Sequence, residues 1–203
     1  ALAPALPPDV RAARLAGPAA TWSAARALRF ASHERVLSAH TDWIYDTLAS
    51  DDGRWLVTTG ADRRAIIWDA RDGGVHRELE GHTGTVFQAA LDREGATLAT
   101  SGYDGTVRLW SFPDGRPIRT LEHPTDRVYG VCFAHDGSLI AAGLEGRVAV
   151  FDPASGAVTR ELQLTSALPW RLDCARDAPV AVAGTSGSEA VVLDLGAGAV
   201  RHR

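Results

Sequence analysis

The chain has 203 residues, 45% of them hydrophobic and 23% charged, which suits a folded chain with a sizeable core and excludes a disordered polyelectrolyte. A net charge of −4 leaves no basic footprint for nucleic acid, and no apolar run is long enough to cross a bilayer as a helix. All 21 basic residues are Arg, and Lys, Asn and Met are absent, a bias that reads as GC-rich coding in a bacterium and as a chain cut from a longer protein or processed at its start.

Residues 1–20 are rich in Ala and Pro, include a Pro7-Pro8 pair, and read as a linker. Residues 21–32 read either as a short helix capped by Thr21 or as a degenerate strand. From residue 33 to 203 the chain is periodic. Trp68, Trp110, Phe151 and Leu193 are spaced 42, 41 and 42 residues apart. Gly60, Gly102, Gly143 and Gly184 follow at 42, 41 and 41, and the Asp62, Asp104, Glu145, Gly187 and Leu37, Leu79, Leu121, Leu162 series agree.

Each period reads as four short strands separated by turns. In the second, strands are expected at 86–91, 97–101, 106–110 and 117–121, with Gly95, Gly105 and Gly115 in the turns. Four strands per roughly 42 residues predict one propeller blade, and a blade must stack on neighbours to bury its faces. The expected fold is therefore an all-β propeller of about four four-stranded antiparallel blades. Residues 34–38 resemble the fourth strand of a preceding blade, and residues 199–203 read as a fourth strand of the last one. Two such strands do not share one slot, so either the propeller continues beyond this chain or the ring closes in an unusual way.

The second period contains Gly81-His82 and then Leu98-Ala99-Thr100-Ser101-Gly102-Tyr103-Asp104-Gly105-Thr106-Val107-Arg108-Leu109-Trp110. The first contains Ala39-His40, Leu56-Val57-Thr58-Thr59-Gly60-Ala61-Asp62 and Ile67-Trp68-Asp69. On these residues the chain resembles the WD-repeat family over about 33–203, most closely in the first two periods. The resemblance implies a seven-bladed ring of which this chain is a fragment. It also implies a hydrogen-bonded tetrad in each well-formed blade: His40, Thr58, Asp62 and Trp68 in the first, His82, Thr100, Asp104 and Trp110 in the second. Alignment puts Pro124 at the third blade's His position, with His123 one place early, Ala141 at the hydroxyl and Phe151 at the Trp. The third and fourth blades are expected to pack apolar side chains in place of the tetrad.

No catalytic residue is assigned. His40 with Thr58 and Asp62 has triad-like composition, but the trio recurs one blade later, as a structural network does and a nucleophile site does not. Gly184-Thr185-Ser186-Gly187-Ser188 lacks the last Gly of a nucleophile elbow, and Gly196-Ala197-Gly198 lacks the third Gly of a dinucleotide loop. Asp51, Asp52 and Asp72 stand beside turn glycines and read as turn chemistry rather than calcium ligands. No metal site and no cofactor is expected. Cys132 and Cys174 form no C-x-x-C pair. They fall on the first strands of adjacent blades, one register position apart, and read as small core residues on opposite faces in a reducing, cytoplasmic setting.

An aromatic series, Tyr45, Phe87, Tyr129 and Trp170, recurs at one point of each inner strand. It reads as inter-blade packing or as an aromatic binding rim. In the family the turns at this end often bind partners, so the resemblance implies a partner surface of Trp43, Tyr45, Arg63, Tyr103, Arg127, Tyr129 and Leu144. The expected function is a non-catalytic protein–protein interaction scaffold or sensor domain of a larger signalling protein. Its partner is another protein or a domain of the same polypeptide, with no nucleic acid and no membrane. The alternatives are a propeller enzyme with a central-channel site and an intramolecular regulatory domain of a kinase or nucleotide-binding ATPase.

Overall fold

A computed structural model describes residues 35–164, 168–187 and 189–201. The linker expected at 1–20 and the helix or strand expected at 21–32 lie outside the described residues. Among the described residues sixteen strands form four antiparallel sheets, each a four-stranded meander, arranged as a β-propeller. Blade 1 holds β1 (Ile44–Ala49), β2 (Trp55–Gly60), β3 (Ala65–Asp69) and β4 (Val75–Leu79). Blade 2 holds β5 (Val86–Leu91), β6 (Thr97–Gly102), β7 (Thr106–Ser111) and β8 (Pro117–Glu122). Blade 3 holds β9 (Val128–Phe133), β10 (Leu139–Gly143), β11 (Arg147–Phe151) and β12 (Val158–Gln163), with a 3-10 turn at Leu144–Gly146. Blade 4 holds β13 (Pro169–Cys174), β14 (Val180–Thr185), β15 (Ala190–Asp194) and β16 (Ala199–Arg201).

Turn chemistry sets these boundaries. Between the first two strands of blades 1 to 3, Gly53, Gly95 and Gly137 take positive φ, which a residue with a Cβ adopts at a cost. An Asp in each turn (Asp52, Asp92, Asp136) accepts a bond from a backbone N–H two to four residues on.

The core lies between blades. Trp55, Val57, Ile67 and Leu79 of blade 1 pack on Val86, Leu98 and Trp110 of blade 2. Ala99, Val107 and Leu109 meet Val131, Leu139 and Ala149 of blade 3. Ile140, Ala142 and Val148 meet Leu172, Ala183, Val191 and Leu193 of blade 4. Blade 4 buries this face alone: Ala181, Ala183, Val191 and Leu193 are enclosed, while Val182 and Val192, on the other face of the same strands, are exposed.

A clasp repeats at the outer edge. Arg77, Arg119 and Arg160, on the fourth strands of blades 1 to 3, donate to the carbonyls of Asp114, Ala154 and Leu195 in the last turn of the next blade. Arg35 does the same to the Arg71 carbonyl of blade 1, so residues 35–40 pack where an outer strand of a preceding blade would, while β16 fills the fourth slot of blade 4.

Polar braces fill the axis. The positions one residue after the aromatic series are Asp46, Gln88, Gly130 and Arg171. Asp46 accepts from the Ala89 N–H and from the Arg171 guanidinium. The Gln88 side-chain carbonyl accepts from the Val131 and Leu172 amides, and its NH2 donates to the Leu172 carbonyl at 2.7 Å. Nearer the opposite end, Arg176 pairs with Asp51, tying blade 4 to blade 1.

The cysteines correct the expectation. Cys132 of β9 and Cys174 of β13 are joined as a disulfide, with Cα atoms 5.7 Å apart. Stacked blades share an orientation, so the front face of one meets the back face of the next. A one-position register offset, which turns the two side chains to opposite faces of equivalent strands, is therefore what brings them together.

Candidate functional site

Both full tetrads assemble. In blade 1 the Trp68 indole N–H donates to Thr58 Oγ1 at 2.9 Å, Thr58 Oγ1 lies 2.7 Å from His40 Nε2, and His40 Nδ1 lies 2.9 Å from Asp62 Oδ2. Blade 2 repeats this with Trp110, Thr100, His82 and Asp104 at 3.0, 2.9 and 3.0 Å. One proton arrangement satisfies every group: indole N–H to hydroxyl oxygen, hydroxyl to Nε2, and Nδ1–H to carboxylate. Burial opposes the charge on Asp62, but the Thr41 amide, His40 and Arg64 outweigh it and hold the carboxyl below its usual range. On Asp104, burial is likewise overcome by His82, the Thr83 amide and Thr106. With every polar atom engaged, neither trio offers a free hydroxyl to a substrate.

Blade 3 departs from the expected apolar packing. His123, not Pro124, fills the histidine place: its ring is buried beside Phe151, with Nε2 3.2 Å from the Ala141 carbonyl and Nδ1 2.8 Å from Thr125 Oγ1. The glycine series gives the physical reason. A Cβ on Gly60 would strike His40 and Asp62, one on Gly102 would strike His82 and Asp104, and one on Gly143 would strike His123 and Thr125. Thr125 thus stands where the other blades have a carboxylate, and a main-chain carbonyl replaces the missing hydroxyl at Ala141. Burial pushes the His123 pKa down to about 4, so the ring is neutral at pH 7. In blade 4 a Cβ on Gly184 would meet open space, and Ala183 and Leu193 are fully enclosed among apolar neighbours.

The aromatic series forms a continuous row. Ring centroids are 5.0 Å apart from Tyr45 to Phe87, 5.0 Å from Phe87 to Tyr129 and 5.3 Å from Tyr129 to Trp170. The ladder registers explain why the rings converge. Ile44 pairs with Gly60 and Asp46 with Thr59, so Tyr45 is an extra residue in a β-bulge. Phe87, Tyr129 and Trp170 are the extra residues of the same bulge in the other three blades. A bulge turns its side chain out of the regular alternation, here toward one end of the axis. Tyr103 joins the row, 5.5 Å from Phe87, and the Arg127 guanidinium stacks 4.2 Å above its ring.

The turns of the same end are fastened to it by a repeated backbone bond. The amides of Ala61, Tyr103, Leu144 and Ser186 donate to the carbonyls of Trp43, Thr85, Arg127 and Leu168. Of the seven residues expected on the surface, Tyr45, Tyr103, Arg127 and Tyr129 are brought together by ring contacts, and Leu144 is tied to Arg127. Tyr129 is buried at the centre of the row. Trp43 projects with 77% of its surface exposed. Arg63 lies in the turn between β2 and β3, exposed and with φ of 69°, and among the described residues no ring or cation–π contact joins it to the row. Trp170, outside the expected surface, is half exposed and closes the row; its place in the spacing series was the available signal.

The other end of the axis opens into a cavity of about 620 Å³ whose wall includes Asp51, Arg93, Arg176 and the two cysteines. Arg93 is paired with Asp177 there, as Arg176 is with Asp51. Among the described residues no group of three or more His, Cys, Asp or Glu side chains is placed to hold a metal ion, and no helix is long and apolar enough to cross a membrane.

The family model for the WD domain, G-beta repeat, matches three stretches, residues 31–69, 73–111 and 115–152. The nuclear distribution protein PAC1 of the fungus Arthroderma benhamiae is 49% identical over 35 residues, which is 17% of this chain and 8% of that protein. The PAC1 proteins of Trichophyton verrucosum and Arthroderma otae give the same identity and coverage. The match thus spans less than a tenth of the length of each of these curated relatives.

Proposed function

The chain belongs to the WD40 repeat family, and from that premise we propose that it is a non-catalytic platform that holds a protein partner against the aromatic end of its blades. Repeats of this family generally mediate protein–protein interaction. The observation that carries the reading is the bulge-built row. Rings from four blades and an Arg-capped tyrosine converge on one end, with Trp43, Tyr45 and Trp170 left accessible. Large aromatic groups and Arg are the residues that dominate binding energy at protein interfaces. The His–Asp pairs are consumed inside the blades, which supports the absence of catalysis.

The partner is a second protein or a domain of the same polypeptide, engaged without nucleic acid or membrane, and the residues in contact are Trp43, Tyr45, Tyr103, Arg127 and Trp170. We place the chain in the cytoplasm of a bacterium as part of a larger signalling protein; the Arg-only basic residues support the bacterial origin, and the Pro/Ala-rich stretch at residues 1–20 supports a linker to another domain. The test compares the wild-type chain with a Trp43→Ala/Trp170→Ala variant in quantitative capture from a lysate of the source organism. Near-ultraviolet circular dichroism first establishes that both are folded. A partner held by the wild type and weakened about tenfold or more by the variant is the expected result. Equal capture by both overturns the assignment of this surface.

A further inference from the structure

We propose that Cys132 and Cys174 are a thiol–disulfide exchange site for a small thiol couple of the glutathione class, and that closing the bridge clips blade 4 to blade 3. Four observations carry this. The Cα atoms stand 5.7 Å apart, inside the span a disulfide bridges without moving the backbone. The pair sits on the wall of the 620 Å³ axial cavity. Cys174 is only partly buried while Cys132 is buried, so Cys174 is the sulfur a small thiol reaches first. And the blade so clipped is the one with fewest ties: blade 4 has no tetrad and buries one face only, and besides its apolar contact with blade 3 it is held by the Gln88 brace, the Arg160 clasp and ion pairs of Arg171, Arg176 and Asp177 with blades 1 and 2.

The chemistry balances without a further reagent. A small thiolate attacks Cys174 Sγ, the bond to Cys132 breaks, and Cys132 leaves with the electron pair and takes the proton the small thiol gave up. A second small thiolate attacks the outer sulfur of the mixed disulfide, freeing Cys174 as a protonated thiol. The protein bridge is reduced by two electrons and two small thiols are oxidised to their disulfide; the reverse sequence closes the clip. In a reducing compartment such a pair rests open and closes under oxidant, whereas a purely structural bridge resists the couple.

The full chain, equilibrated in buffers of graded reduced and oxidised glutathione, acid-quenched and alkylated, should pass from no labelled cysteines to two in one concerted transition by intact mass. Labelling of both at every ratio, or of neither at every ratio, overturns the exchange site. Hydrogen exchange read on the oxidised and reduced wild type tests the clip without any substitution. Amides of β13 and β14 should exchange roughly 100-fold faster when reduced, while those of β6 and β7 stay unchanged. Equal exchange in both states overturns the clip.

Discussion

At His123 the cost of charging a buried ring governs the response to acid. The unfolded chain carries a histidine that titrates near 6.5, and the folded one holds it at about 4. Between those values the unfolded state binds a proton that the folded state refuses. Stability from this residue is therefore complete above about pH 6.5, declines as the pH falls toward 4, and levels off below, a loss of about 3 kcal/mol in all. Asp62 and Asp104 act lower down: their depressed carboxyls contribute above about pH 4, and that contribution disappears as acid protonates them. Urea unfolding at pH 7.0 and 4.5 should show a markedly smaller drop for His123→Gln than for the wild type. Identical drops would mean that some other group carries the acid sensitivity. The histidine's place was hidden in the sequence by a one-residue offset, because Thr125 and the Ala141 carbonyl replace the Asp and Thr that mark the other tetrads. The retained Gly143, together with His123 one place early, was the visible sign that a ring lies above it.

On the scale of strands, the inner strands carry both the binding row and the axial braces on consecutive residues: the bulged aromatic, then Asp46, Gln88, Gly130 or Arg171. Gly130 is the place where a neighbour's backbone comes closest. A Cβ there would stand 2.8 Å from the Leu172 amide nitrogen, on the residue that Gln88 bonds twice. Gly130→Ala should lower the unfolding free energy by about 1–3 kcal/mol in a denaturant titration, since backbone rather than a flexible side-chain end must yield. A change within error would mean that β9 and β13 separate more freely than the packing implies. Strand limits in blade 2 were legible to within a residue, because Gly and Asp mark each turn and each strand is short. The bulges were not, since pairing register is a relation between two strands. The even spacing of the four aromatics already implied a shared environment for them.

For the molecule as a whole, stability is distributed along a stack rather than gathered in one core. Each junction has its own apolar cluster and its own arginine clasp, Arg77, Arg119 and Arg160 each reaching forward to the next blade. The period made this stack readable from the sequence alone. The cysteine bridge was not readable, because it depends on which face of one blade meets which face of the next. That bridge also changes how the chain would behave under mechanical load. Pulled from its two ends, a stack of this kind yields blade by blade, and each rupture releases hidden chain. Residues 132 to 174, joined at their ends, cannot be drawn out while the bridge is closed. At about 3.4 Å per extended residue, the fully stretched oxidised chain should be roughly 140 Å shorter than the reduced one, a difference single-molecule force spectroscopy would read as missing total contour length.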